Sequence, residues 1–128
     1  MEHKKYTCIT LLADKNYLHF FPKIYEQIRE IGKFEGDINL ITNKKKSKIK
    51  PKNFINVNIF EFEQIRFSKD CIRELNNIPN GRNKDKPYQW NKFYLFDALF
   101  KNWEFNLYID INMTINKEIN DFFDIKPI

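Results

Sequence analysis

Residues 88–123 constrain the fold more than any other part of the sequence, because they combine a helical pattern, a short apolar strand and a polar turn. Apolar residues recur in steps of three and four, which predicts a helix of about four turns with a broad buried face. These positions are Trp90, Phe93, Tyr94, Phe96, Leu99, Phe100 and Trp103. Residues 106–111 follow as a strand of apolar, strand-forming types. Asp110 and Asn112 therefore leave the end of a buried strand together.

Side chains at such a position face the place where open α/β sheets bind ligands, outside the carboxyl ends of the strands. Oxygen ligands two residues apart around a turn can share one hard cation, Mg²⁺ or Mn²⁺. A cation held there by Asp110 and Asn112 would neutralise a diphosphate. The spacing is equally compatible with a strand-end Asp that caps the following turn.

The length of 128 residues predicts one domain, residues 1–128, with a sizeable core. No apolar run approaches the roughly 20 residues that span a bilayer, and the first residues lead into a strand-like segment instead of a signal peptide. We therefore expect a cytoplasmic protein without a transmembrane segment, with Cys8 and Cys71 as free thiols. With only His3 and His19 as histidines, no spacing suggests zinc.

The formal charge of +5 is concentrated in one loop, because residues 44–52 contain six lysines and no acidic residue. A protein that tracks phosphates usually spreads its basic residues over a face and interleaves aromatics. This loop has no aromatic residue, so a solvated connection is favoured and nucleic acid is an unlikely partner. The alternative is a polyanion-binding loop from Lys44 to Lys52, on nucleic acid or an anionic membrane.

The first half of the chain reads as strand, helix, strand, loop and strand. Residues 6–13 are strand-like, residues 37–42 form a second short apolar strand, and residues 54–60 alternate well enough for a third. A turn over residues 14–16 leads into a helix that begins near Pro22 and ends at Gly32 or Gly36. Its apolar face consists of Tyr17, Phe20, Phe21, Ile24, Ile28 and Ile31.

Residues 61–78 predict a further helix, with Ser68 capping its second half. Its inward residues are Ile65, Cys71, Ile72 and Leu75, and residues 79–87 form a loop rich in turn-forming residues. Alternating strands and helices with nearly continuous apolar strands predict an α/β domain. We expect a mainly parallel sheet with helices on both faces.

Three segments in order carry a resemblance: LLADKNYL after the first strand, WNKFYLFDALF, and LYIDINMTINKEINDFF. Together they resemble the nucleotide-sugar-binding half of GT-A fold glycosyltransferases, in particular the glycogenin-like and galactosyltransferase-like family 8. The resemblance covers Tyr6 to Asp124 and leaves residues 43–87 unaligned. It implies a Rossmann-like GT-A domain that transfers a sugar from a nucleotide-sugar, with a UDP-sugar as the expected donor, to an unknown protein or glycan acceptor.

The resemblance also implies roles for residues after the first strand. Leu12, Ala13 and Asp14 would hold the nucleobase and ribose, and Tyr17 would stack on uracil, as an exposed aromatic at a strand-to-helix turn can. The alternative for Tyr17 is that it is the first core residue of its helix.

Further along the chain, Lys92 corresponds to the lysine that reaches the diphosphate or sugar and offsets leaving-group charge. The alternative is a surface lysine on the polar side of its helix. Arg82 matches a loop arginine of the family. Asp110, Ile111 and Asn112 correspond to the Asp-x-Asp motif, with Asp110 and Asn112 as ligands of Mn²⁺ or Mg²⁺.

The chain departs from the family pattern at Asn112, where an amide offers a carbonyl oxygen but no charge, so metal affinity should fall. A second departure is that no histidine follows His19 to serve as third ligand, and the acceptor-binding half would begin near residue 125. The options are a fragment, a minimal relative, or a binding domain that no longer transfers sugar. We expect the 128 residues alone to bind the nucleotide weakly and to hydrolyse the donor slowly at most.

Overall fold

A computed structural model describes residues 7–45, 48–49, 54–77 and 87–124. Its centre is a four-stranded, all-parallel sheet in the order β3-β2-β1-β4. The strands are β1 (Thr7–Leu12), β2 (Asp37–Thr42), β3 (Val57–Glu61) and β4 (Phe105–Tyr108). The predicted α/β class with a parallel sheet is confirmed. β1 pairs directly with β4, so the first strand lies beside the strand that precedes Asp110.

β1 and β2 are buried on both faces of the sheet, and their buried side chains are apolar ones interspersed with small polar ones. Every residue of β1 is buried, as are five of the six residues of β2. Alternate side chains of each strand point to opposite faces. Ile9 and Leu11 therefore belong to one hydrophobic cluster, whereas Leu12 belongs to another across the sheet.

The first face is covered by α1 (Phe21–Glu30), which follows a 3₁₀ turn, Leu18–Phe20. Pro22 lies in the first turn of α1, where a missing N–H costs nothing. After α1, the N–H of Gly32 donates to the carbonyl of Gln27 at 2.8 Å. A Cβ on Gly32 would lie 2.7 Å from the carbonyl oxygen of Ile28, so the close approach requires glycine. The predicted helix end is confirmed here.

The core on this face joins α1 to the segment that follows β4. Phe21, Ile24 and Ile28 of α1 are buried against the sheet. Ile31, which the helical pattern also placed inward, is 44% exposed. The chain after β4 completes the same cluster with Ile111, Ile115, Ile119 and Phe123. A 3₁₀ helix, Asn120–Phe123, ends this segment.

The opposite face is covered by two 3₁₀ helices, Pro87–Phe96 and Ala98–Asn102, instead of the predicted four-turn α-helix. Asp97 separates them with extended backbone and accepts a hydrogen bond from the N–H of Leu99 at 3.0 Å. A 3₁₀ helix has three residues per turn, so side chains three apart share a face. The row that faces the sheet consists of Tyr88, Asn91, Tyr94, Phe100 and Trp103.

The predicted buried face of this region was therefore wrong in part. Phe93, Phe96 and Leu99 lie on the neighbouring three-residue row and are exposed, Phe96 by 85%. Apolar residues spaced by three and four in the sequence fit an α-helix and a 3₁₀ helix alike. Only packing against the sheet selects the period of three. Helices nevertheless cover both faces, as predicted.

Between β3 and these helices lies α2 (Lys69–Asn76). Ser68 caps it as predicted, because its hydroxyl accepts a hydrogen bond from the N–H of Cys71 at 3.1 Å. Ile72, predicted to point inward, is 46% exposed, and Cys71 is half-buried. None of the helices among the described residues is long and apolar enough to cross a membrane.

Candidate functional site

The strand order places a candidate binding crevice at the carboxyl ends of β1 and β4. The chain runs from β1 outward to β2 and β3, then returns to the other side of β1 as β4. Ligands in open α/β sheets bind where the order reverses in this way. The segments that follow β1 and β4 both pack on the first face. The 3₁₀ helix Pro87–Phe96 therefore supplies the opposite wall.

At the end of β1, the backbone turn is held by Asp14. One carboxylate oxygen, Oδ1, accepts hydrogen bonds from the N–H groups of Asn16 at 2.9 Å and Tyr17 at 3.0 Å. Leu12 and Ala13, which the resemblance places against the ribose, have buried side chains, and the Ala13 N–H donates to the Ile41 carbonyl. Asp14 therefore has a capping role whether or not it also meets a ligand.

Tyr17 lies at the rim of the first core. Its ring centroid is 6.1 Å from that of Phe20, with 20° between the planes, and the residue is half-buried. The ring is thus partly a core residue, as the alternative interpretation of the sequence has it, while part of its surface meets solvent.

At the end of β4, a tight turn presents two polar side chains to solvent. The carbonyl of Asp110 accepts a hydrogen bond from the N–H of Met113 at 3.1 Å, which closes the turn. Ile111 anchors it, with a side chain buried in the first core. Asp110 and Asn112, on either side of that anchor, are exposed. Their oxygens are available to a ligand.

The structure brings Lys92 to Asp110. The ammonium Nζ lies 4.0 Å from Asp110 Oδ1, with side-chain exposures of 45% and 58%. The same ammonium lies 5.1 Å from the centroid of the Tyr108 ring. Eighteen residues of sequence separate the two charged groups, so the sheet and the 3₁₀ helix together create this pair.

A buried tyrosine, Tyr88, and a half-buried one, Tyr108, border the crevice. Burial raises the pKa of Tyr108, and the charge of Asp110 and a hydrogen bond to it raise it further. Burial also raises the pKa of Tyr88 by more than a hydrogen bond with Asn91 lowers it, and the charges of Asp14 and Tyr94 add smaller increases. Both hydroxyls are therefore neutral donors at physiological pH. Tyr88 donates to the carbonyl of Phe62 at 2.8 Å.

Asn91 is a positioning residue that the sequence did not reveal. It is fully buried, its Oδ1 accepts from the N–H of Ile65 at 3.0 Å, and its Nδ2 donates to the carbonyl of Glu63 at 2.9 Å. These bonds tie the chain after β3 to the helix that carries Lys92. The sequence does hold one signal for this role, because Asn91 stands inside an aromatic run. An amide side chain is seldom buried without hydrogen-bond partners.

Asp110 and Asn112 suit a divalent cation that takes most of its oxygen ligands from a bound diphosphate and from water. Among the described residues there is no group of three or more His, Cys, Asp or Glu side chains that could hold a metal ion. Asp110 and Asn112 offer one carboxylate and one amide. Mg²⁺ is commonly bound by one or two carboxylates together with substrate phosphates and water. The residues present fit such a shared site, with Asp110 as the charged ligand.

Arg82, which the resemblance matches to a loop arginine, lies outside the described residues, and the lysine loop is described only in part. Of the lysine loop, Lys45 and Lys48 are exposed and Lys44 is half-buried.

Comparison with protein-family models finds no match for this chain, and comparison with curated proteins and with solved structures finds no significant match.

Proposed function

We propose that this domain binds a nucleotide-sugar of the UDP-sugar class and that its reaction is glycosyl transfer to an acceptor. The observation that carries the proposal is the position of Lys92 and Asp110, which face each other where the strand order reverses. A carboxylate for a divalent cation and an ammonium for a phosphate are the two groups that a diphosphate needs. The exposure of both leaves them accessible to such a ligand.

The chemistry follows from charge. Glycosyl transfer breaks the bond between the anomeric carbon and a diphosphate oxygen, and negative charge develops on the departing diphosphate. A divalent cation bound through Asp110 and Asn112 would offset part of that charge as a Lewis acid. Lys92 would offset another part by contact with the phosphate oxygens. The Tyr108 hydroxyl, kept neutral by burial and by Asp110, adds a donor at the same edge.

The nucleobase would lie at the end of β1. Tyr17 offers a half-exposed ring, and the turn capped by Asp14 fixes the backbone beside it. Stacking on an aromatic ring is worth roughly 1–3 kcal/mol per base and does not require a polar pocket. The base would then lie at the end of β1 and the diphosphate at the end of β4. These are the neighbouring strands at which the strand order reverses.

Thermal unfolding in the presence of UDP and Mn²⁺ tests the proposal. A ligand at ten times its dissociation constant stabilises the folded state by about 1.4 kcal/mol, which raises the melting temperature of a domain of this size by several degrees. Asp110→Ala should abolish this shift without unfolding the domain, because its side chain is exposed.

Asp70→Ala is the matched control, since that carboxylate is 90% exposed and lies on α2. It should keep the shift. Serine in place of the six loop lysines should also keep it. If UDP produces no shift, whereas the serine variant loses binding to RNA or anionic vesicles, the polyanion-binding alternative replaces the proposal.

A further inference from the structure

Lys92 has two anionic or electron-rich neighbours and no other charged partner among the described residues. Its ammonium lies 4.0 Å from Asp110 Oδ1 and 5.1 Å from the centre of the Tyr108 ring. Asp110 is also the one carboxylate that the proposed cation site contains. The charged ligand of that site is therefore already paired with a cation from its own chain.

We propose that Lys92 is a displaceable internal cation, which occupies Asp110 until a divalent cation takes its place and which then turns to the diphosphate. The part of this inference that concerns the diphosphate rests on the proposed function. The exchange at Asp110 does not, because it concerns only Lys92 and a metal ion. Lys92 would then couple the two binding events, besides offsetting charge on the leaving group.

The ion pair between Lys92 and Asp110 is weak enough for a divalent cation to displace the ammonium. A separation of 4.0 Å between two groups that are each about half exposed describes a weak, solvent-screened ion pair. A divalent cation carries twice the charge and can bind the carboxylate directly, so it displaces the ammonium. The Tyr108 ring stays beside the released ammonium and keeps it at the crevice, since a cation over an aromatic face is held without a counter-charge.

A reciprocal coupling follows from this exchange. Metal binding frees Lys92 for the phosphate oxygens, and phosphate binding draws Lys92 away from Asp110. Each ligand therefore tightens the other by the same factor, as linkage requires. Without the lysine, that part of the coupling disappears, although direct attraction between the metal and the phosphates remains.

The test measures Mn²⁺ binding to the 128-residue chain by electron paramagnetic resonance, with no nucleotide present. Lys92→Met removes the internal cation and should tighten Mn²⁺ binding by up to about fivefold, the worth of an exposed ion pair. Lys92→Arg keeps a cation that can grip the carboxylate with two N–H groups, so it should weaken Mn²⁺ binding. Lys101→Met, an exposed lysine of the neighbouring 3₁₀ helix, controls for the lost charge and should have little effect.

A second measurement repeats the titration with UDP present. UDP should enhance Mn²⁺ affinity less in Lys92→Met than in the unchanged chain. Equal Mn²⁺ affinity in Lys92→Met and Lys101→Met, weaker binding in Lys92→Met, or no Mn²⁺ binding that depends on Asp110 would each overturn the exchange. If the Mn²⁺ affinities change as expected while UDP fails to bind, the exchange at Asp110 stands and the proposed function fails.

Discussion

Replacement of Asn91 by alanine tests the physical account of how the crevice is held together. The side chain is fully buried and bonds the N–H of Ile65 and the carbonyl of Glu63 at 3.0 and 2.9 Å. Alanine removes the side-chain amide, so the N–H of Ile65 loses its acceptor and the carbonyl of Glu63 loses its donor.

The expected cost follows from those two groups. An unsatisfied buried polar group costs about 1–3 kcal/mol, and the lower half of that range applies here because both bonds are only partly shielded from water. For the two groups together, the free energy of unfolding should fall by about 2–4 kcal/mol. That is a large share of the roughly 5–15 kcal/mol of a typical domain.

Urea unfolding followed by circular dichroism measures this loss. Asn102→Ala is the matched control. Asn102 is exposed on the neighbouring 3₁₀ helix, and its side-chain amide donates a hydrogen bond to the carbonyl of Leu99. It should cost no more than about 0.5 kcal/mol. A loss below about 1 kcal/mol for Asn91→Ala, or one equal to that of the control, would refute the positioning role.

Two further predictions concern the metal ligands and the buried thiol. Asn112→Asp should tighten Mn²⁺ binding roughly thirtyfold, because a second carboxylate about 4 Å from a divalent ion gains about 2 kcal/mol even in water; an equal gain in Asn102→Asp would show a mere net-charge effect. Burial raises the pKa of Cys8 to about 12, above the value of about 8.5 in an unfolded chain, so the folded state retains a proton that the unfolded state releases. The free energy of unfolding should therefore fall between about pH 8.5 and 12, by up to 1.36 kcal/mol per pH unit. In urea titrations with reductant between pH 8 and 10, Cys8→Ala should lose this slope, and parallel slopes would contradict the prediction.

The strands could be predicted from the sequence because burial on two faces leaves a direct record in it. Residues 37–42 contain the apolar residues Ile38, Leu40 and Ile41, and the predicted bounds match β2. β3 begins at Val57, three residues later than predicted, since Asn56 adopts a left-handed conformation that ends the preceding turn. The Ser68 cap was also predictable, because capping depends on residues only three apart.

The sequence by itself determined the parallel α/β class, the edge of the sheet where polar residues gather, and Asp110 and Asn112 as exposed groups there. Only the tertiary structure decided that residues 87–102 form 3₁₀ helices, because spacings of three and four fit either helix and contact with the sheet selects between them. It also decided that Lys92 meets Asp110 and that Asn91 is buried. Both facts depend on contacts between segments that lie far apart in the sequence, Lys92 with Asp110 and Asn91 with the chain after β3, and no local pattern records such contacts.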